Sequence, residues 1–139
     1  MTITTKDTTA ALGRVLLAAL FLLSGFAKLN GPAATIAYIE SSGMPFPKLA
    51  YLGALAVELG LASLLVLGVR TRLVAVLMAA FTAVTAVMFH SSLGDQEQFV
   101  NFFKNISIAG GLLQIAAFGG GMLSIDALFE RRRAFATVS

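Results

Sequence analysis

An all-α integral membrane protein, its helices packed as an antiparallel four-helix bundle, is the fold class that the sequence predicts, on three observations. Of 139 residues, 58% are hydrophobic and only 12% are charged. Soluble domains carry about a quarter charged residues, so this chain has too few to cover a water-facing surface, and its main solvent is lipid. Next, four apolar segments of span length, about 20 residues each, occupy residues 11–29, 48–69, 72–89 and 102–118. That leaves room for one transmembrane domain over 11–126, flanked by tails at 1–10 and 127–139. Finally, four spans would put Lys6, Arg14, Arg70, Arg72 and the Arg131-Arg132-Arg133 run on one side. The side rich in Lys and Arg faces the cytoplasm, so both termini are expected there, in a bacterial inner membrane. An odd number of spans would split these groups and lose the asymmetry.

Each element follows from local signals. The first span ends at Asn30-Gly31-Pro32, where proline and glycine stop the helix. Its apolar core at 15–23 would also suit a signal peptide, but no small-x-small cleavage site precedes a soluble domain, and three more spans follow. Residues 33–40 fit a short amphipathic helix in the first outer loop, and Ser41-Ser42-Gly43-Met44-Pro45-Phe46-Pro47 reads as a turn. Gly68 and Arg70-Thr71-Arg72 make a tight connection between the second and third spans. Residues 91–101, holding Asp95, Glu97 and Gln98, form a polar loop. After Gly119-Gly120-Gly121, residues 124–133 form a second short helix, with Ser124 as its cap, Asp126 in its first turn and the arginines at its end. The last residues are expected to fray.

Composition excludes several chemistries. With no cysteine, disulfides, thiolate metal sites and thiol relays are out. A single histidine cannot supply both axial ligands of a bis-His haem, and no metal-ligand cluster is seen. The net charge of +3 and pI of about 9.7 come from basic residues at helix ends. No Lys/Arg run is interleaved with aromatics, so nucleic acid is not an expected partner.

Polar residues inside a bilayer are costly and should face the bundle interior. A seam spacing of 3.5 residues lines up Arg14, Leu17, Phe21, Ser24 and Lys28 in the first span. It lines up Arg72, Val76, Ala79, Ala83, Ala86 and His90 in the third, and Lys104, Ser107, Gly111, Gln114 and Phe118 in the fourth. In the second span Glu58 is the ionisable residue well inside, with Tyr51 two turns earlier. Ala75, Ala79 and Ala83, the Ala56/Gly60 pair and Gly110-Gly111 offer small-residue packing. Glu58 has two readings: a structural partner for Arg14 or Lys28, or a proton-carrying or ligand-binding acid. His90 is either an interfacial hydrogen-bonding group or a proton exchanger for a quinone-like ligand. Lys28 and Lys104 read as snorkelling residues, yet they share the outer side with His90, Asn105 and Tyr51, so a polar pocket at that mouth is expected. Arg14 and Arg72 read as topogenic anchors at the inner mouth. No nucleophile–base triad or phosphate loop is present, so no catalytic residues are assigned.

Several segments resemble one family. Arg14 followed by Phe21-Leu22-Leu23-Ser24-Gly25-Phe26-Ala27-Lys28-Leu29 resembles the opening span of the DoxX family, as does Tyr38 with Gly43-Met44-Pro45. Glu58 with Gly68 and Arg72 is similar to its second and third spans. Phe102-Phe103-Lys104-Asn105, Ala109-Gly110-Gly111 and Gly120 with Ser124-Ile125-Asp126 are similar to its closing segment. The resemblance covers residues 12–126 and implies a small four-span membrane protein. Some members are associated with quinone-linked sulfur oxidation or membrane oxidoreductase complexes, and a related group in animals acts in receptor assembly. The polar positions carried over are Arg14, Lys28, Glu58, His90, Lys104 and Asn105. The resemblance implies an accessory subunit of a quinone-linked oxidoreductase system, with quinone as the candidate ligand and membrane or peripheral oxidoreductase subunits, or a second copy of the chain, as partners. A membrane scaffold and a small-molecule carrier are the alternatives.

Overall fold

The computed structural model describes residues 3–136, and every regular element among them is helical. The elements are α1 (Thr5–Asn30), α2 (Pro32–Ser41), α3 (Pro47–Leu67), α4 (Thr71–Phe89), α5 (Gln96–Phe118) and α6 (Ile125–Ala136). The first two and last three residues, including the end of the tail expected to fray, lie outside the described residues. Three helices, α1, α3 and α4, are long and apolar enough to cross a membrane. The fourth long helix, α5, has 23 residues but is diluted by Asn101, Lys104, Asn105 and Gln114 and does not reach the same apolar character. Of the expected bundle, what stands is an all-helical chain with three helices of span character and α5 packed along α4.

Element ends follow the caps. Thr4 accepts from the Asp7 N–H while the Asp7 carboxylate accepts from the Thr4 N–H, so α1 begins inside the segment expected to be a tail. The Asp95 carboxylate accepts from the Gln98 N–H at 2.9 Å, which starts α5 at Gln96 rather than near Phe102. Pro32 and Pro47 sit in the first turns of α2 and α3, where a missing N–H costs nothing. Within α3, residues Ala56–Leu61 form a wide π-helical turn, which no sequence signal announced.

All four long helices feed one core: Ala18 and Phe21 from α1, Ala62 and Leu65 from α3, Val74, Ala75, Met78 and Ala79 from α4, Ala109 and Leu112 from α5. The seam expectation needs correction in two helices. In α4 the buried face carries Thr71, Val74, Ala75, Met78, Ala79, Thr82 and Ala86, while Arg72 and Val76 face outward. In α5, Ser107, Gln114 and Phe118 are exposed. For Ser107 the reason is local satisfaction, because its Oγ donates to the Phe103 carbonyl at 2.8 Å. A hydroxyl bonded to its own helix has no need of the interior. Of the expected small-residue contacts, Ala75 and Ala79 are buried and Gly111 approaches Leu17, whereas Gly60 and Gly110 touch nothing.

The basic end is locked by Arg14, which is only 3% exposed. Its Nη1 donates to the Gly120 carbonyl and its Nη2 to Leu123 O at 2.7 Å and Val66 O at 3.3 Å. Arg14 is therefore a structural clamp rather than only a topogenic anchor, whereas Arg72 is exposed. Next to it the chain reverses through Gly68 and Arg70, both in the left-handed region (φ 71° and 45°). A Cβ on Gly68 would overlap Ser124, so only glycine fits there. Asp126 caps this reversal. Its carboxylate accepts from the Arg70 N–H, the Thr71 N–H and the Thr71 hydroxyl, each at 2.7 Å. Burial works against its charged form, but the Thr71 and Arg70 donors and the nearby Arg14 guanidinium outweigh it and hold the carboxyl below its ordinary value of 3.8.

A carboxyl so depressed adds stability that is present above 3.8 and is lost as the pH falls through its lower folded value. Asp126→Asn should lower unfolding stability at neutral pH by about 2 kcal/mol and flatten the loss of stability in acid. Thermal unfolding in detergent across that range checks both.

Candidate functional site

At the other end of the helices lies a cavity of about 370 Å³, within the range of small-molecule pockets, roughly 300–1,000 Å³. Its wall is mostly apolar: Phe21 from α1, Ile39 from α2, Phe81 and Phe89 from α4, Ile108 from α5. The polar groups are few. Lys28, Ser24 and Glu58 sit on one side, and His90, Lys104 and Asn105 also line it.

Glu58 sits within the wide turn of α3. The buried series along α3 is Tyr51, Ala54, Glu58, Ala62 and Leu65. Their spacings of three, four, four and three trace one inward face, and Glu58 lies on that face within the π turn. Such turns are frequent at functional sites. On α1, Gly25 lets the helices approach: a Cβ there would lie 2.6 Å from Leu59 Cδ2 and 3.1 Å from Glu58 Cβ. The flanking Ser24 and Lys28, one turn apart, are thereby brought to the carboxylate.

Lys28 Nζ donates to Glu58 Oε1 at 2.8 Å and to Ser24 Oγ at 2.9 Å, and Ser24 Oγ donates to the same Oε1 at 3.3 Å. The pair is sheltered, with side chains 26% and 7% accessible. Both donors serve one oxygen. Glu58 Oε2 is buried and has no hydrogen-bond partner. A buried acceptor left unpaired costs about 1–3 kcal/mol, more when charged, so the ion pair alone does not account for this carboxylate.

His90 terminates α4, and its Nδ1 lies 2.9 Å from Gln98 Oε1. An amide oxygen only accepts, so Nδ1 carries the proton and Nε2 is the nitrogen left free. Lys104 donates to Asn101 Oδ1 at 2.7 Å and is exposed at the mouth. The Tyr38 ring of α2 stacks on Phe89 with centroids 5.5 Å apart. Among the described residues, no group of three or more His, Asp or Glu is placed to hold a metal ion.

Five of the seven residues singled out from sequence, Lys28, Glu58, His90, Lys104 and Asn105, line this cavity. Tyr51 does not. Its hydroxyl donates to the Lys28 carbonyl at 3.1 Å and so braces the end of α1. Arg14 is at the opposite end and takes no part. As site residues, sequence reasoning missed Gln98 and Gly25, and also Tyr38, Thr35, Thr82 and Thr85, the last four of which line the cavity. The one-turn spacing of Ser24 and Lys28 was a usable signal; for Gln98 there was none.

A family model for DoxX matches residues 9–91. The chain belongs to the DoxX family. That match spans α1 to His90, so it includes Lys28, Glu58 and His90, while Lys104 and Asn105 lie beyond it. This DoxX protein is similar to the inner membrane protein YphA of Escherichia coli (strain K12), 39% identical over 120 residues, covering 83% of this chain and 86% of YphA. It is also similar to the inner membrane protein YqjF of the same organism, 36% identical over 127 residues, covering 91% of this chain and 96% of YqjF. Both alignments are longer than the family-model match. No solved structure matches the chain.

Removing one partner of a sheltered ion pair strands the other. Lys28→Met should therefore destabilise the protein by about 3 kcal/mol, whereas Lys28→Met with Glu58→Leu should recover most of that loss. Unfolding of the three proteins in the same detergent measures the difference.

Proposed function

We propose that this DoxX protein is an integral protein of the bacterial cytoplasmic membrane, crosses it four times with both termini in the cytoplasm, and serves as an accessory subunit of a quinone-linked oxidoreductase system that holds quinone in the Glu58 cavity. Three helices have span character. The 23 residues of α5 reach about 35 Å at 1.5 Å per residue, enough for a hydrocarbon core of about 30 Å. Arg14, the Arg70–Thr71 reversal and the start of α6 meet at one end, while His90 and Lys104 lie at the other. By the rule that basic residues stay inside, the first end is cytoplasmic. The relatives' description as inner membrane proteins agrees with this compartment.

The observation that carries the ligand reading is the unpartnered Glu58 Oε2 in a cavity whose wall is mostly apolar in area. A quinone-class ring, with oxygen at opposite edges and an apolar body, suits such a site: its oxidised form can accept from Lys28, its reduced form can also donate to Glu58 Oε2, and His90, Lys104 and Asn105 are available to the other edge. A scaffold role makes no use of this carboxylate.

Two measurements test the proposal. The chain has no cysteine, so single cysteines report sidedness cleanly: an impermeant maleimide should label Ser92→Cys in intact cells, and Thr8→Cys and Ala134→Cys only after the membrane is opened. Labelling of either terminus from outside would refute the four-span arrangement. For the ligand, mass spectrometry of lipid extracts from gently purified protein should find quinone in stoichiometric amount, and much less with Glu58→Gln. If no quinone co-purifies and added short-chain quinone leaves the unfolding temperature unchanged, the ligand reading falls.

A further inference from the structure

The hydrogen-bonding groups of the cavity are not neutral between the two redox states of such a ligand. A quinone presents two acceptors; its reduced form presents two hydroxyls, each able to donate. We infer that the cavity selects the reduced, dihydroxy form, an inference that rests on the quinone-class reading of the site.

The deep pole is Glu58 Oε2. It is buried, without a partner, and belongs to a carboxylate whose other oxygen already accepts from Lys28 and Ser24. The three threonine hydroxyls of the lining are committed elsewhere: Thr35, Thr82 and Thr85 give their protons to the carbonyls of Gly31, Met78 and Phe81. What Oε2 lacks is a donor. Lys28 commits two of its three protons, to Ser24 and to Oε1. A ligand hydroxyl placed here donates to Oε2 and accepts the third ammonium proton at the same time. A carbonyl can only accept, which leaves Oε2 unpaired against a second lone pair.

The second pole points the same way. His90 spends its Nδ1 proton on Gln98 Oε1, which leaves Nε2 as an acceptor in the neutral ring. Asn105 carries both a donor and an acceptor, and Lys104 is exposed, so neither discriminates. A site that prefers the reduced partner raises the midpoint potential of the bound couple, by about 30 mV for each tenfold of preference in a two-electron couple.

The test uses the full chain in nanodiscs, titrated under anaerobic conditions with a decyl benzoquinone and, separately, with the same compound reduced by dithionite. Isothermal calorimetry should give a Kd at least about tenfold lower for the reduced form. Glu58→Gln should level the two affinities, both weaker than those of the wild-type protein, because the amide can donate or accept but no longer forms the ion pair that holds Lys28. His90→Ala should narrow the gap without closing it. Equal affinities in the wild-type protein, or tighter binding of the oxidised form, overturn this inference and leave quinone binding standing. Binding of neither form overturns the quinone reading and this inference with it. The wild-type comparison decides even if Glu58→Gln fails to fold.

Discussion

One guanidinium holds the basic end of the protein together. Arg14 reaches from α1 to carbonyls at the end of α3 and in the segment after α5, so three stretches far apart in sequence share one side chain. In lipid this matters more than in water. Carbonyls at helix ends have no intrahelical donor, and in hydrocarbon no solvent supplies one. Arg14 meets that need for Val66, Gly120 and Leu123, and the tight 68–71 reversal can sit beside it because Asp126 takes the N–H groups that the reversal frees. The requirement that every backbone group be satisfied thus shapes this end, and the glycines at 68 and 120, where a Cβ would collide with Ser124, are its steric consequence.

With one end fixed, the other is free to be a site. The two ends treat buried charge differently, although Arg14 too keeps one buried nitrogen, Nε, without a partner. Arg14 has both terminal nitrogens bonded to backbone and belongs to the fold. Glu58 is half-satisfied, with one oxygen crowded by two donors and the other with none. A charge kept within a membrane span at that cost is the feature on which the proposed ligand site rests. Gly25 and the Tyr51 hydroxyl act to place this carboxylate and its lysine.

Much of this was legible in the sequence, and the limits are physical. Apolar runs and proline or glycine breaks located the long helices, because lipid demands length and hydrophobicity in one stretch. Glu58 and Lys28 stood out because charge is rare in such runs. Caps were harder: Thr4 with Asp7, and Asp95, extend helices into segments that read as polar loop. The inward stripe was legible for α1, where Arg14 and Phe21 are buried. It failed for α5, since Ser107 bonds its own backbone and a polar residue in a helix need not face the core. The π turn depends on how α1 and α3 meet, and no local pattern encodes it.

The short helix α2 has a consequence for exchange. It contributes Thr35, Tyr38 and Ile39 to the cavity wall, yet with ten residues it is too short to cross the bilayer, and breaks at Gly31-Pro32 and Gly43-Met44-Pro45 join it to its neighbours. Its hold on the far wall is the stack of Tyr38 on Phe89. Ile39, only 5% exposed, and packing against α3 fasten the same wall on its other side. The rate at which a molecule enters or leaves through this wall would then be set by those contacts of one short helix rather than by the separation of spans.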